Sequence, residues 1–378
     1  MTRPLDVLAV EPWLGGSHRR FLESWRARSR HRVAIRGLRA RHWKWRMQGA
    51  AHSLARTVAR EGVGRPDVIL ASDYLDLPRF RGFLPPDWAG VPAVLYLHEN
   101  QLTYPAAPGA EPDERDHAYA FTNVLSLVAA EVAVFNSRFH RDELGAAARE
   151  LIGRLPRPRP TEELERALRG ARVVGPGVEL GEIPLGRGAP AGAPLRVAYN
   201  HRWEHDKDPV AFLRAVLDAR RETGRPIDVV LLGERAGEEP AEAEGLVSEL
   251  RGAGAVRHVG YAPDRRAYAE LLGECDVVVS TARHEFFGIS VAEAVAAGCR
   301  PLAPRRLAYP EVLADVGPDA LYESPGGLVR GLAAAAANPR PFREAVTRAA
   351  RRDAMERHDA TVTAAELDAI VEEVGTVE

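Results

Sequence analysis

Short runs of β-branched and aliphatic residues alternate along this chain with longer segments whose apolar positions recur three or four apart. In the first half the extended runs are residues 5–10, 33–36, 67–72, 93–97 and 132–135. Between them, residues 18–28, 45–60 and 119–130 carry helical periodicity. Strands alternating with helices predict a parallel sheet covered on both faces. Around 181–194 the alternation stops, where Gly181, Pro184, Gly186, Gly188, Pro190, Gly192 and Pro194 crowd together and read as a linker. It resumes with extended runs at 196–200, 228–232, 256–259 and 276–280, and helical segments at 209–221 and 267–272. The pattern predicts two α/β lobes, 1–180 and 195–350, a linker at 181–194, and a C-terminal helical segment at 351–378. Ligands of open parallel sheets bind at the carboxyl ends of strands, so a cleft between two such lobes is the expected site.

A length of 378 residues agrees with two cores rather than one. No run approaches the roughly 18 apolar residues of a membrane span, since Glu131 interrupts the best candidate, 124–135. The opening run, 5–10, is too short for a signal peptide. Both observations lead to a cytoplasmic expectation, with no membrane association. Cys275 and Cys299 fit a reducing compartment and cannot by themselves build a zinc site. The net charge of −2 hides a local asymmetry: between Arg19 and Arg46 eleven Lys or Arg residues face a single acid, Glu23. A field that local survives overall neutrality, because it is set by neighbours within a Debye length.

Four segments carry candidate chemistry. His284-Glu285-Phe286-Phe287-Gly288-Ile289-Ser290-Val291-Ala292-Glu293 follows an apolar strand and enters a helix, which aims free backbone N–H groups at a ligand. Glu285 and Glu293 can both face that ligand, although Ser290-x-x-Glu293 also reads as a capping box. In Asn200-His201-Arg202-Trp203-Glu204-His205-Asp206-Lys207-Asp208-Pro209, Arg202 and Lys207 can converge on a diphosphate. The interleaved acids also allow a solvated charged turn. Gly15-Gly16-Ser17-His18 joins the first strand to the first helix, with two glycines permitting close backbone approach and Ser17 as the N-cap. His98-Glu99-Asn100 places polar groups at the end of the strand 93–97.

Together these segments resemble the retaining, glycogen-synthase-like (family 4) GT-B glycosyltransferases. Glu285 to Glu293 matches their E-x7-E motif, Arg202 with Lys207 their diphosphate-binding pair, Gly15-Gly16 their first-lobe glycine loop, and His98 their histidine near the transferred sugar. More narrowly, the strings EPWLGGSH, HWKWR, YLHENQLTYP, VFNSRFHRDE, NHRWEHDKDP and HEFFGISVAEAV resemble the tRNA-queuosine alpha-mannosyltransferase family. The resemblance implies the GT-B fold, two Rossmann-like lobes with an interlobe cleft and C-terminal helices. It implies a GDP-mannose donor, no metal cofactor, and the cyclopentenediol of queuosine in a tRNA anticodon as acceptor.

On this reading Arg202, Lys207 and the backbone around Phe286, Phe287, Gly288 and Ile289 hold the donor diphosphate. Glu285 orients sugar hydroxyls, Glu293 binds the ribose, and Tyr261 walls the base pocket. His98 stabilises the sugar's transition state. Gly15, Gly16, Ser17, His18, Glu99 and Asn100 lie on the acceptor side. The stretch Arg39, Arg41, Trp43, Lys44, Trp45 and Arg46 interleaves cations with indoles, a pattern for phosphates and unpaired bases of tRNA. The alternatives are a transferase acting on a lipid or polysaccharide and a two-lobed sugar-nucleotide epimerase. Nothing in the sequence points to a protein partner.

Overall fold

The computed structural model describes residues 3–105, 114–233 and 241–376. The chain divides into two compact units, Met1–Gly177 with Ala360–Glu378, and Val178–Asp359.

In the first unit six strands form a parallel sheet: β1 (Asp6–Leu14), β2 (Arg32–Arg39), β3 (Val68–Ser72), β4 (Ala93–Leu97), β5 (Val132–Phe135) and β6 (Arg172–Val173). Their order is β2-β1-β3-β4-β5-β6. Helices α1 (Gly16–Arg28), α2 (Trp43–Arg60), α3 (Leu77–Gly82), α4 (Glu114–Ala129), α5 (Arg138–Arg154) and α6 (Thr161–Gly170) connect and follow the strands. β3 and β4 are buried along their whole length, as continuous apolar runs must be when both faces are covered. One face packs on Leu54, Phe80, Leu127 and Leu144 from α2–α5. The other packs on Phe21, Leu22 and Trp25 of α1 and on Leu367 and Val371 of the C-terminal helix, Ala360–Gly375. The last helix is thus part of the first unit's core rather than a separate tail.

β1 continues through Pro12 to Leu14, where a loop is predicted. Only β2 pairs this extension, with an irregularity between Glu11 and Leu14, and such a break accommodates a proline that cannot donate.

The second unit repeats the plan with β7 (Leu195–Asn200), β8 (Ile227–Leu232), β9 (Val256–Gly260), β10 (Val277–Val279), β11 (Arg300–Pro304) and β12 (Leu321–Tyr322). Their order is β12-β11-β10-β7-β8-β9. Its helices are α7 (Pro209–Thr223), α8 (Ala241–Gly252), α9 (Arg265–Gly273), α10 (Ile289–Ala296), α11 (Tyr309–Val312), α12 (Pro325–Ala337), α13 (Arg340–Arg343) and α14 (Ala345–Asp353). No described helix is long and apolar enough to cross a membrane.

Residues 181–194, predicted as a linker, lie inside this second unit. Arginines far along the chain hold them there. Arg343 donates to the carbonyls of Pro190, Ala193 and Pro194, Arg348 to that of Gly186, and Asp276 accepts the Ala189 N–H. Arg348 is 1% exposed and also caps the carbonyls of Gly273, Cys275 and Ala297 near the ends of α9 and α10. Glycine and proline density records the irregular backbone but not the partners that satisfy it.

Strand order reverses between β1 and β3 in the first unit and between β10 and β7 in the second. Crevices open at such switch points, outside the carboxyl ends of the strands.

Candidate active site

At the first switch point β1 delivers Glu11, which is fully buried. Its Oε1 accepts from Ser72 Oγ of β3 at 2.9 Å and from the Trp13 N–H at 2.8 Å. Its Oε2 lies 3.0 Å from His18 Nδ1. The turn that brings His18 back depends on two glycines. A side chain on Gly15 would meet Ala40 Cβ at 2.5 Å, and Gly16 has φ +50°. Gly15, not Ser17, occupies the N-cap position, so Ser17 falls inside α1. The His18 ring packs on His98 at 4.0 Å between centroids.

Burial opposes a charge on His18, but the Glu11 carboxylate overrides it and raises the imidazole to about 9. His98 goes the other way, pushed well below its usual value by burial and by the His18 and His140 charges. Two imidazoles in contact, their planes tilted by 35°, are thereby held in opposite protonation states at neutral pH. His98 is fixed through its backbone: its N–H donates to Asp73 Oδ1 at 3.1 Å and its carbonyl accepts from Asn136 Nδ2 at 2.8 Å. Glu99 accepts from the Tyr74 hydroxyl. Asn100 caps its own turn, its Oδ1 accepting from the N–H groups of Leu102 and Thr103. Glu11, His18 and His98 each place one potential ligand atom within 4.8 Å of the others, a spacing a metal ion could share, although Glu11 and His18 already satisfy one another.

At the second switch point β7 delivers Asn200 and His201, and β10 leads to Glu285. Lys207 Nζ lies 2.7 Å from the His284 carbonyl, 3.0 Å from Asp206 Oδ2 and 3.3 Å from Glu285 Oε2. Burial would raise the Glu285 carboxyl, yet Lys207, with His201, brings it down to about 2. Burial and Lys207 lower His201 to about 4. Gly288 starts α10 with φ +85°, a conformation in which a Cβ would meet Tyr309 at 2.7 Å. No side chain caps α10, so the predicted capping box does not form. Ser290 Oγ faces His201 instead, at 3.4 Å. Glu293 takes the Tyr268 hydroxyl and Arg265 Nη2, both at 2.6 Å. Asn200 Nδ2 links the parts, donating to the Ser290 carbonyl at 2.7 Å and to Tyr268 Oη at 2.8 Å.

Comparison with known proteins decides what this arrangement belongs to. Residues 6–178 match the tRNA-queuosine alpha-mannosyltransferase N-terminal family, and residues 189–353 match the glycosyl transferases group 1 family. A tRNA-queuosine alpha-mannosyltransferase of Drosophila melanogaster is 31% identical over 349 residues, covering 89% of each chain. The chain belongs to the tRNA-queuosine alpha-mannosyltransferase family. It is a glycosyltransferase, and its fold is that of GT-B enzymes. Sucrose-phosphate synthase from Thermosynechococcus elongatus superposes with a TM-score of 0.71 at 15% identity, covering 97% of this chain and 98% of that one. Anabaena HepE in complex with UDP and glucose gives 0.66 at 15% identity, covering 97% and 100%.

Of the residues singled out for this queuosine mannosyltransferase family member, Lys207, Glu285, Gly288 and Glu293 converge with Phe286, Phe287 and Ile289 around one polar cluster. Arg202 stands at its edge, its side chain 57% exposed and paired with Glu204 at 3.1 Å. Tyr261 follows the edge strand β9 and is 79% exposed, with no hydrogen bond or ring contact to the cluster. Gly15, Gly16, His18, His98, Glu99 and Asn100 gather at the first unit's switch point.

The basic stretch is only partly a cationic surface. Arg30, Arg32 and Arg36 pair with Glu372, Asp6 and Glu61. Arg39, Arg41 and Arg46 meet no acid among the described residues. Trp45 is 65% exposed, while Trp43 is half-buried against Tyr119, with Lys44 Nζ 5.4 Å from the Trp43 ring centroid.

Sequence reasoning gave no role to Glu11 and Asn200, although both stand in segments singled out for chemistry, and it passed over Asp73, Tyr74, Arg265 and Tyr268. For Glu11 a signal existed, an acid ending an apolar strand just before a glycine turn. For Arg265 and Tyr268 there was none, since only packing turns α9 toward Glu293.

Proposed function

We propose that this protein transfers a hexose, mannose from GDP-mannose, with retention at the anomeric carbon and without a metal cofactor, to the cyclopentenediol of queuosine in a tRNA anticodon. The observation that carries the acceptor half of this reading is one continuous aromatic cluster. Met47, Tyr74 and Tyr119 pack with Trp13 and Trp43, joining the Trp43–Trp45 stretch to the strand ends where His98 and Glu99 lie. Aromatic faces beside Arg39, Arg41, Lys44 and Arg46 suit unpaired bases and their phosphates.

The donor half is supported by the Lys207 cluster. Lys207 and Arg202 supply the positive charge that a departing diphosphate needs, together with the N–H groups opening α10. His201 is buried with Nε2 unpaired among the described residues, as is Asp206 Oδ1, and both are groups a ligand can satisfy. Glu285 orients the sugar hydroxyls and Glu293 the ribose. The acceptor oxygen attacks the anomeric carbon on the face that the diphosphate leaves, and a phosphate oxygen takes its proton. His98, held neutral, is the residue that stabilises the sugar's transition state on this reading.

Mass spectrometry of queuosine-containing tRNA after incubation with the protein tests this. GDP-mannose, GDP-glucose, UDP-galactose and UDP-glucose are offered separately. A gain of one hexose on queuosine with GDP-mannose alone is expected. Gain with another donor overturns the donor, and no gain with any overturns the acceptor.

A further inference from the structure

Burial, with the Glu99 and Glu11 carboxylates, pushes the Asp73 carboxyl well above its ordinary value, because the first unit gathers these acids around too little positive charge. Glu11, Asp73 and Glu99 converge at the ends of β1, β3 and β4, and His18 is the only cation paired with any of them among the described residues. That ion pair consumes Glu11. Asp73 is 2% exposed, with Oδ1 accepting the His98 N–H at 3.1 Å and Oδ2 meeting no donor among the described residues. His18, Glu99 and Glu11 are the charged groups that act on it, so its second oxygen belongs to this cluster. Asn100, fully buried in the next turn, likewise keeps its Nδ2 without an acceptor. A carboxyl oxygen that meets no protein donor and a buried amide donor without an acceptor leave a place for a ligand that brings both a positive charge and a hydroxyl oxygen.

The wall of this place selects the kind of cation. Trp13 stacks on Tyr74 with ring centroids 5.6 Å apart and planes 13° apart, and the Tyr74 hydroxyl is held by Glu99. Aromatic faces next to carboxylates favour an organic ammonium over a bare metal ion. The same rings belong to the cluster that reaches Trp43 and Tyr119, so a base stacked there would carry its side chain toward Asp73.

We infer that Asp73 and Glu99, walled by Trp13 and Tyr74, seat a secondary ammonium next to a vicinal diol, and that Asn100 donates to the diol. This deepens the acceptor reading above and rests on it: queuosine joins its cyclopentenediol to the deazaguanine through a secondary amine. The pocket then distinguishes queuosine from unmodified guanine by charge as well as by the diol. Salt-bridge formation with the amine supplies the positive charge that brings the Asp73 carboxyl back to its ionised form.

The test uses two synthetic anticodon stem-loops, one carrying queuosine and one an isosteric analogue with CH2 in place of the amine NH. The full-length enzyme is expected to prefer the amine by about 10- to 100-fold in kcat/KM, the range for one hydrogen bond to a charged group. In Asp73→Asn, and separately in Glu99→Gln at the more accessible position, that preference falls toward unity. Because the preference is a ratio within one protein, loss of folded enzyme cancels from it. If Asp73→Asn does not fold, Glu99→Gln carries the same test. Equal use of both acceptors by the unsubstituted enzyme, or a preference unchanged in the folded variants, overturns the inference alone. Absence of hexose transfer to either acceptor overturns the acceptor reading and this inference with it.

Discussion

Trp25 in α1 donates its indole N–H to Oδ1 of Asp368, 343 residues later, at 2.8 Å. The same carboxylate accepts from Ser29 Oγ at 2.6 Å and from the Arg30 N–H at 2.8 Å. One acid on the C-terminal helix therefore satisfies three donors at the end of α1. Asp368→Ala is expected to cost about 2–4 kcal/mol, since it leaves a buried indole N–H and a helix-end hydroxyl unpaired. Urea unfolding followed by tryptophan fluorescence checks this, and a change under 1 kcal/mol would mean that water replaces the carboxylate (~1 kcal/mol being an ordinary hydrogen bond).

Glu285 and Lys207 neutralise one another where the donor is proposed to bind. Glu285→Ala is expected to lower transfer by at least about 100-fold, the usual scale for an electrostatic group at the reacting centre. Affinity for tRNA, measured by filter binding, stays the same. Retained transfer would remove Glu285 from the sugar site. The carboxyl also sets an acid limit: its folded value of about 2 lies below the ordinary 4.5, so its stabilisation is present above 4.5 and is lost as pH falls through 2.

His18 is expected to titrate near 9 in the folded protein, read from the pH dependence of its imidazole NMR signals. It faces Glu11, Asp73 and Glu99 as acids and His98 as a neutral ring. Because the folded value lies above the ordinary 6.5, its contribution to stability is complete below 6.5 and is lost as pH rises through about 9. Glu11→Gln removes the charge that opposes burial, and the His18 value falls. A His18 signal that titrates at the same pH in both proteins sinks this assignment.

Trp45 is the exposed indole of the proposed tRNA surface, lying over Gly49 with Cζ2 2.9 Å from where a Cβ on that glycine would sit. Trp45→Ala is expected to weaken tRNA binding by about 10- to 100-fold, the value of one or two lost stacking contacts. Replacing Arg39, Arg41 and Arg46 by Ala flattens the salt dependence of binding instead. GDP binding by calorimetry should change in neither variant.

Gly288→Ala forces a side chain onto a φ of +85° and against Tyr309. About 1–3 kcal/mol of destabilisation is expected, with donor affinity reduced because the start of α10 moves. Thermal melting together with GDP titration separates the two effects.

Most of the fold was legible because it follows from local periodicity. The runs at 93–97 and 132–135 are the strands β4 and β5 as found, and Pro209 opens α7 behind the cap Asp208, as a proline at a first helical position should. Short edge strands such as β6 and β12 escaped, since two residues carry no period. Glu285, Lys207 and His98 could be singled out as candidates because their motifs are contiguous in sequence.

What the sequence determined by itself was therefore the alternation of strands and helices, the family, and the segments that bear chemistry. Each of these depends on neighbours along the chain. Tertiary structure alone decided which carboxylates keep a partner, that Glu11 charges His18, that Arg265 and Tyr268 hold Glu293, and that residues 181–194 are braced rather than free. These depend on groups brought together from distant positions in a low-dielectric interior, where a partner's presence or absence sets both charge and conformation.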